Sequence, residues 1–315
     1  MKALVIALLL AAALPARAAF PEKPMRLIVP GPPGSPPDVL GRLVAERFAL
    51  TLGQPVLVDN RPGASGTLGL AMVAGAAPDG YTLGMIAMPY VVAPSVLSRV
   101  PYDTQRDLAG VAQLVWSSNM LVVRADSPWR KLEDLLNAAQ SRPGRITAAS
   151  GGNATPAHLA LELFKRHAAV DIQHVPFKGT VPGIAAVMGG QVDLMFATTG
   201  VVAPQLASGK LRGLALVAPK RVPGHESIPT MTELGYTGFD YRDWAGIVVP
   251  ARTPAGVVER LAQATTNAVS ALTERLVASH YEPTPHSNPQ AFNALIRSEL
   301  ARWAKVVREA DIRAD

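Results

Sequence analysis

Met25-Arg26-Leu27-Ile28-Val29-Pro30-Gly31-Pro32-Pro33-Gly34-Ser35-Pro36-Pro37-Asp38-Val39-Leu40 reads as a β-run, a glycine-rich turn and the start of a helix. The apolar stretch Met25 to Val29 is short and ends on proline and glycine, which suits a buried strand. Ser35 stands at an N-cap position and Pro36 at the first helical residue. Asp38, three residues after Ser35, is the acidic partner of a capping-box-like pair. Beyond it Val39, Leu40, Leu43, Val44 and Phe48 recur at steps of three and four, the spacing of a helix with one buried face. A strand that turns directly into a helix is the repeating unit of an α/β fold with a mostly parallel sheet.

The same rhythm continues outward from this stretch. Short β-like runs recur at Val56 to Asp59, Tyr81 to Ile86, Ile146 to Ala149, Ile172 to Val175, Val192 to Phe196 and Leu211 to Val217. Leu159, Leu163 and Phe164 mark another one-faced helix. Two adjacent apolar runs, Val111 to Trp116 and Met120 to Arg124, follow each other with no helix between them, as a chain crossing between lobes would read. A second extended stretch, Phe239 to Pro250, reads as the return crossing, and the long helices Thr253 to Leu272 and Asn288 to Ile312 follow it. The expectation is two α/β lobes: residues 19–118 with 243–315 form the first, and 119–242 the second.

The amino-terminal text is of another kind. Lys2, the apolar run Ala3 to Leu14, and Pro15-Ala16-Arg17-Ala18-Ala19 give the basic, apolar and small-residue order of a secretory signal peptide over residues 1–18. Twelve apolar residues are too few to span a bilayer, which takes about 20. The expectation is export to the periplasm, with cleavage after Ala18 or Ala19. Losing Lys2 and Arg17 lowers the formal charge from +6 to +4. The remaining Lys and Arg are scattered, and aromatic residues are few, with 7 Phe, 6 Tyr and 4 Trp. That pattern argues against a nucleic-acid partner and leaves a mildly favourable field for a small anion. With no cysteine in the chain, disulfides, thiolate metal sites and cysteine nucleophiles are excluded.

Three strand-to-helix junctions could present backbone NH groups to an anion. They are Gly31 to Asp38, Arg61-Pro62-Gly63-Ala64-Ser65-Gly66-Thr67, and Ser150-Gly151-Gly152-Asn153-Ala154-Thr155-Pro156-Ala157-His158, where Thr155 would cap a helix beginning at Pro156. Glycine-rich turns of this kind also occur in α/β proteins as plain connections. Three at the carboxyl ends of strands, one of them in the other lobe, point to one interlobe cleft. Cofactor signatures are missing: Gly63-x-x-Gly66-x-x-Gly69 has the wrong first gap for a dinucleotide fingerprint, and no Gly-Lys-Ser/Thr occurs. The six histidines form no tight ligand set, and Ser65 lacks the glycine that a nucleophile elbow needs. No cofactor and no metal are expected. His158, in a first helical turn beside the third junction, is the histidine placed to orient that loop.

Several blocks bring out a resemblance over essentially the whole chain after residue 18. Lys23 to Pro30 with Pro33-Gly34, Gly53-Gln54-Pro55-Val56 with Asn60 to Ala64, and Ala77 to Leu83 lie in the first lobe. Thr155 to Ala160, His174 to Gly179 and Gly189 to Phe196 lie in the second. Together they resemble the Bug family, the receptors of tripartite tricarboxylate transporters related to TctC. The resemblance implies a two-lobed periplasmic-binding-protein fold of type II-like form, two α/β domains with an interlobe ligand cleft. It implies no catalysis. The implied receptor works as a monomer, pins a small carboxylate between the turns of the two lobes, and hands it to a membrane permease made of a large and a small subunit. Carried over by position, Gly34, Ser35 and Asp38 represent the first turn, Ser65 and Gly66 the second, and Ser150, Asn153, Ala154 and Thr155 the third. His158, Lys178 as a counter-ion, and Asp193 complete the candidate ligand-binding set.

The chain departs from the family pattern at two places. Pro37 stands where relatives commonly carry a small residue or threonine, and it has neither an NH nor a hydroxyl. With Pro36 beside it, this shifts an anion toward Gly34 and Ser35 or onto the second lobe. Ala197 stands where relatives often carry aspartate, which points away from an amino-acid cargo. Two other readings compete: an exported α/β hydrolase, for which no activated nucleophile is visible, and the same fold serving as the ligand sensor of a membrane kinase.

Overall fold

The computed structural model describes residues 20–310 and 312, except residues 154 and 240. The expected signal peptide, residues 1–18, lies outside the described residues, and so does Ala154.

Eleven strands are described, divided between two sheets. The chain runs β1 (Met25–Val29), α1 (Pro36–Leu52), β2 (Val56–Asn60), a 3-10 turn (Ala64–Gly66), α2 (Thr67–Ala74), β3 (Thr82–Ala87), α3 (Met88–Val96), α4 (Thr104–Asp107) and β4 (Leu108–Ser117). It continues through β5 (Asn119–Arg124), α5 (Leu132–Ser141), β6 (Ile146–Ser150), α6 (Pro156–Ala168), β7 (Ile172–Pro176), α7 (Thr180–Met188), β8 (Leu194–Thr198), α8 (Thr199–Ala207) and β9 (Leu211–Val217). It ends with β10 (Asp243–Pro250), α9 (Ala255–Ala271), α10 (Thr273–Ala278), β11 (Glu282–Pro283) and α11 (Pro289–Ala310).

The first sheet has the order β11-β4-β10-β3-β1-β2. Strands β1, β2 and β3 are parallel, and β10 joins β3 to β4 with antiparallel pairing on both sides. The second sheet has the order β7-β6-β8-β5-β9, with β6, β7 and β8 parallel and β5 antiparallel to β8 and β9. The crossings are short. Strand β4 ends at Ser117 in the first sheet, β5 begins at Asn119 in the second, and β10 starts the return at Asp243, opposite Ser117. The molecule is thus a two-lobed α/β fold.

Alternation along the strands divides the core. Leu27 and Val29 of β1 pack with Leu40, Val44 and Phe48 of α1 and with Leu261 and Ala268 of α9. Ile28 between them faces the opposite layer, where Leu70, Val73 and Val91 lie with Phe292 and Trp303 of α11. Glycine terminates α1: Gly53 is left-handed (φ 71°) and its NH reaches Ala49 O at 3.0 Å. The strand expected from Val192 begins two residues later, at Leu194. Asp193 bonds back to Thr147 through both its backbone NH and its carboxylate, and this turns the chain before the ladder starts. Among the described residues no helix is long and apolar enough to cross a membrane.

Candidate functional site

Parallel strands deliver their helices at one edge. The carboxyl ends of β1, β2 and β3 open into α1, α2 and α3, and those of β6, β7 and β8 into α6, α7 and α8. The crossing lies at the same edge of both sheets. Asp243 of β10 sits beside Ala245, which pairs with Ala87 at the end of β3, and Asn119 of β5 pairs with Thr198 at the end of β8. Helix starts from both lobes therefore flank the strands that join them, the crevice where open α/β sheets take ligands.

From Gly34 to Val39 the first turn has no NH left for a ligand. Gly34 NH donates to Asp38 Oδ2 at 2.8 Å, Ser35 NH to Pro32 O at 3.2 Å, and Asp38 NH and Val39 NH to Ser35 O. Pro36 and Pro37 carry no NH. The Ser35 hydroxyl donates to Pro32 O at 2.6 Å. Asp38 itself is 3% exposed. It accepts from Arg42 Nε at 3.1 Å and Asn60 Nδ2 at 2.9 Å, while Asn60 also holds Gly31 O at 3.0 Å. Burial alone would raise the Asp38 pKa, but the hydrogen bonds from Arg42, Gly34 and Asn60 outweigh it and hold the carboxyl below its ordinary range. Gly34, Ser35 and Asp38 thus spend their polar groups within the protein. The capping-box partner of Asp38 is Gly34 rather than Ser35, and the carboxylate is a saturated clamp between α1, β1 and β2.

The second turn is built the opposite way. Ala64 (φ 45°), Ser65 (φ 53°) and Gly66 (φ 86°) are successive left-handed residues, an arrangement that non-glycine residues adopt at a cost and that clusters at binding sites. Gly66 NH reaches Gly63 O at 2.9 Å. Among the described residues the Ala64 NH, the Ser65 NH and the Ser65 hydroxyl have no partner, and both residues are exposed. Gly66 is required by its neighbour as well as by its φ, because an added Cβ would collide with the ring of Tyr90.

The third turn is stapled to the loop after β7. Phe177 NH donates to Ser150 O at 2.9 Å and Gly179 NH to Gly151 O at 3.1 Å. A Cβ on Gly151 would stand 3.1 Å from the Thr180 nitrogen, which is why the two loops can approach so closely. Ser150 is fully buried. Its hydroxyl donates to Gly152 O at 2.9 Å, accepts Gly152 NH at 3.1 Å, and lies 2.6 Å from His174 Nε2. The His174 ring stacks on His158 with 3.9 Å between centroids and 7° between planes. Burial pushes both imidazoles down to about 4. The Lys165 ammonium adds to the shift at His158, and both His158 and Lys165 add to it at His174. Both rings are neutral at pH 7, and they form a prop behind the turn.

The candidate residues therefore separate. Ser65 and Gly66 form the open second turn. Asn153 is exposed at the third, and Lys178 is exposed in the loop stapled to it. Thr155 is the N-cap residue of α6, but its hydroxyl donates to Gly152 O at 2.8 Å instead of accepting a helical NH, so the cap expected for it is corrected. Ser150 and His158 are buried supports of the turn. Asp193 lies at the amino-terminal end of β8, on the far side of the sheet from these turns, where Thr147 NH and Oγ1 donate to it at 2.8 and 2.9 Å; its inclusion is a correction too. Ala197 is buried, opposite Met120.

Sequence reasoning did not single out Tyr90 or Asp243, the acid at the crossing. Tyr90, in the first turn of α3, is 8% exposed and lies between the first and second turns. Asp243 Oδ2 accepts from Asn119 Nδ2 at 3.1 Å across the crossing, and its Oδ1 is buried without a partner among the described residues. Two surface cavities of about 300 Å³ are lined by residues such as Arg106 and Arg252, or Arg130 and Arg212, and include none of the turn residues. No group of His, Cys, Asp or Glu among the described residues could hold a metal ion.

Comparison with known proteins agrees with the two-lobed fold. Residues 40–312 match the profile of the "Tripartite tricarboxylate transporter family receptor", TctC. The protein BugT of Bordetella pertussis is 33% identical over 294 residues, covering 92% of this chain and 90% of its own. The structure of the periplasmic binding protein BugD superposes with a TM-score of 0.83 at 31% identity, over 93% of this chain and 99% of that one. An R. palustris protein solved with adipate gives 0.82 at 30% identity, over 93% and 99%. MatC from Rhodopseudomonas palustris, solved with bound malate, gives 0.80 at 30% identity, over 91% and 100%.

Proposed function

The chain belongs to the tripartite tricarboxylate transporter receptor family, and from that premise we propose that it is a periplasmic receptor that captures a small mono-, di- or tricarboxylate between two lobes. The lobes are residues 19–118 with 243–315, and 119–242, released from a signal peptide over residues 1–18. The bound carboxylate passes to a membrane permease with a large and a small subunit, and the receptor performs no catalysis. The observation that carries this reading is the pair of glycine-rich turns, Gly63 to Gly66 and Ser150 to Thr155, opening from different sheets at the edge where the chain crosses between them. Relatives of the same fold that bind adipate and malate support a carboxylate as the cargo.

Neutral donors suit a receptor that must release what it holds. A buried arginine–carboxylate pair loses much of its Coulomb gain to desolvation, whereas backbone NH groups at a turn arrive already oriented. The test is calorimetry and thermal shift on the mature protein with malate, adipate and citrate, with a neutral sugar as control. Saturable binding of at least one acid without turnover is expected. Silence toward all acids, with a response to the sugar, would overturn the assignment.

A further inference from the structure

In this carboxylate-receptor reading, the first lobe needs donors, and α1 has none to give: every NH from Gly34 to Val39 is either engaged within the turn or replaced by proline. We propose that the Tyr90 hydroxyl supplies the missing donor, and that together with the Ala64 and Ser65 NH groups it forms the first-lobe half of the carboxylate site and selects which acids bind.

The placement is specific. Tyr90 enters from α3 at the carboxyl end of β3, and its ring occupies the space left by the missing side chain of Gly66. Its hydroxyl stands 3.3 Å from where a Cβ on Gly31 would be, so the phenol tip lies between the first and second turns. Among the described residues this hydroxyl has no hydrogen-bond partner, and it is not one of the fully enclosed orphan atoms, a group that includes the hydroxyls of Tyr102 and Tyr241. A phenol tip that reaches solvent at the cleft edge without a protein partner is available to an incoming oxygen. The chemistry also fits an anion. A phenol donates one short hydrogen bond to a carboxylate while remaining neutral, and burial of the ring raises the Tyr90 pKa, so the proton stays on the oxygen at all physiological pH values. Arg42 and Arg61, cations next to these turns, are engaged by Asp38 and Asp59, so both guanidinium groups are already occupied.

The discriminating experiment compares Tyr90→Phe with Ser35→Ala by calorimetry against malate, adipate and citrate. Phenylalanine keeps the ring packed against Gly66 and removes only the oxygen. The expected result is a ten- to hundredfold rise in Kd for Tyr90→Phe, the range of about one hydrogen bond to a charged group. The melting temperature of the ligand-free variant should match that of the wild type, because the hydroxyl bonds to nothing in the protein. Ser35→Ala should leave Kd within about twofold, since its hydroxyl only closes its own turn. Wild-type binding with an unchanged Kd in Tyr90→Phe would overturn the inference while leaving the carboxylate reading intact. A wild type that ignores all three acids would overturn both.

Discussion

Replacing Asp243 by asparagine should flatten one arm of the stability–pH profile. The carboxyl is buried at the crossing, where β10 faces the end of β4. Burial pushes its pKa from 3.8 up to about 7; the Asn119 hydrogen bond opposes the rise and the Glu299 charge adds to it. Between pH 4 and 7 the unfolded chain has released this proton and the folded chain still holds it. Fewer protons are bound in the unfolded state, so stability falls as pH rises through this window and levels off above about 7. One pKa unit is about 1.4 kcal/mol, so the full shift is worth roughly 4 kcal/mol and the interval from pH 5 to pH 8 roughly 3 kcal/mol.

Asparagine has nearly the same volume and no ionisation, so the stability difference between variant and wild type should grow by that amount from pH 5 to pH 8. At about 2 cal/mol/K of unfolding entropy per residue, a chain of this size gains roughly 5 °C relative to the wild type over the same interval. Scanning calorimetry of both proteins at pH 5, 6, 7 and 8 reads the effect, and the comparison cancels the titrating groups that are not coupled to Asp243. Parallel profiles would refute the argument, because they would mean that the acid is ionised in the folded state without penalty.

The stacked histidines have the opposite sign. With folded pKa values of about 4 against an ordinary 6.5, the folded state binds fewer protons, so their contribution is present above pH 6.5 and lost as pH falls toward 4. Calorimetry on an Asp243→Asn background isolates that loss, and His158→Gln should reduce it. Gly66→Ala forces a left-handed alanine onto the Tyr90 ring and should destabilise by roughly 2 to 4 kcal/mol in urea unfolding. Thr155→Val removes the bond to Gly152 O without changing volume, and it should lower stability by about 1 kcal/mol in the same assay.

The recurring strands and the two-lobed α/β class were legible because buried strands bounded by glycine and proline leave a periodic signal, and Met25–Val29 and Leu211–Val217 match residue for residue. Helices α3 and α8 gave no such signal. Pro94 and Pro204 lie inside them, and their apolar residues are not confined to one face, so neither breaker nor period marked them as helical. Tyr90 was hidden with α3. Glycine-rich text located the turns but could not tell a turn with free donors from one already closed. That distinction depends on Asp38, Asn60 and Arg42, which are 22 residues apart at most and meet only when β1, β2 and α1 are assembled.

The two kinds of turn solve different problems. In the first, a charged clamp fixes the end of β1 against β2 and every NH from Gly34 to Val39 is engaged, so it makes a closed wall. In the third, neutral imidazoles and a buried serine hydroxyl prop the loop from behind and leave Asn153 exposed. The hinge completes the arrangement, since the Asn119–Asp243 bond joins one strand of each sheet directly beneath the turns. Ionising Asp243 strengthens this bond but leaves a buried charge at the crossing, and that balance links the energy of the crossing to pH. Changes in affinity with pH between 6 and 8 should therefore follow the hinge and vanish in Asp243→Asn. Calorimetric titrations with malate at pH 6 and pH 8 decide this: a pH-dependent Kd that persists in the variant would place the titrating group in the turns instead.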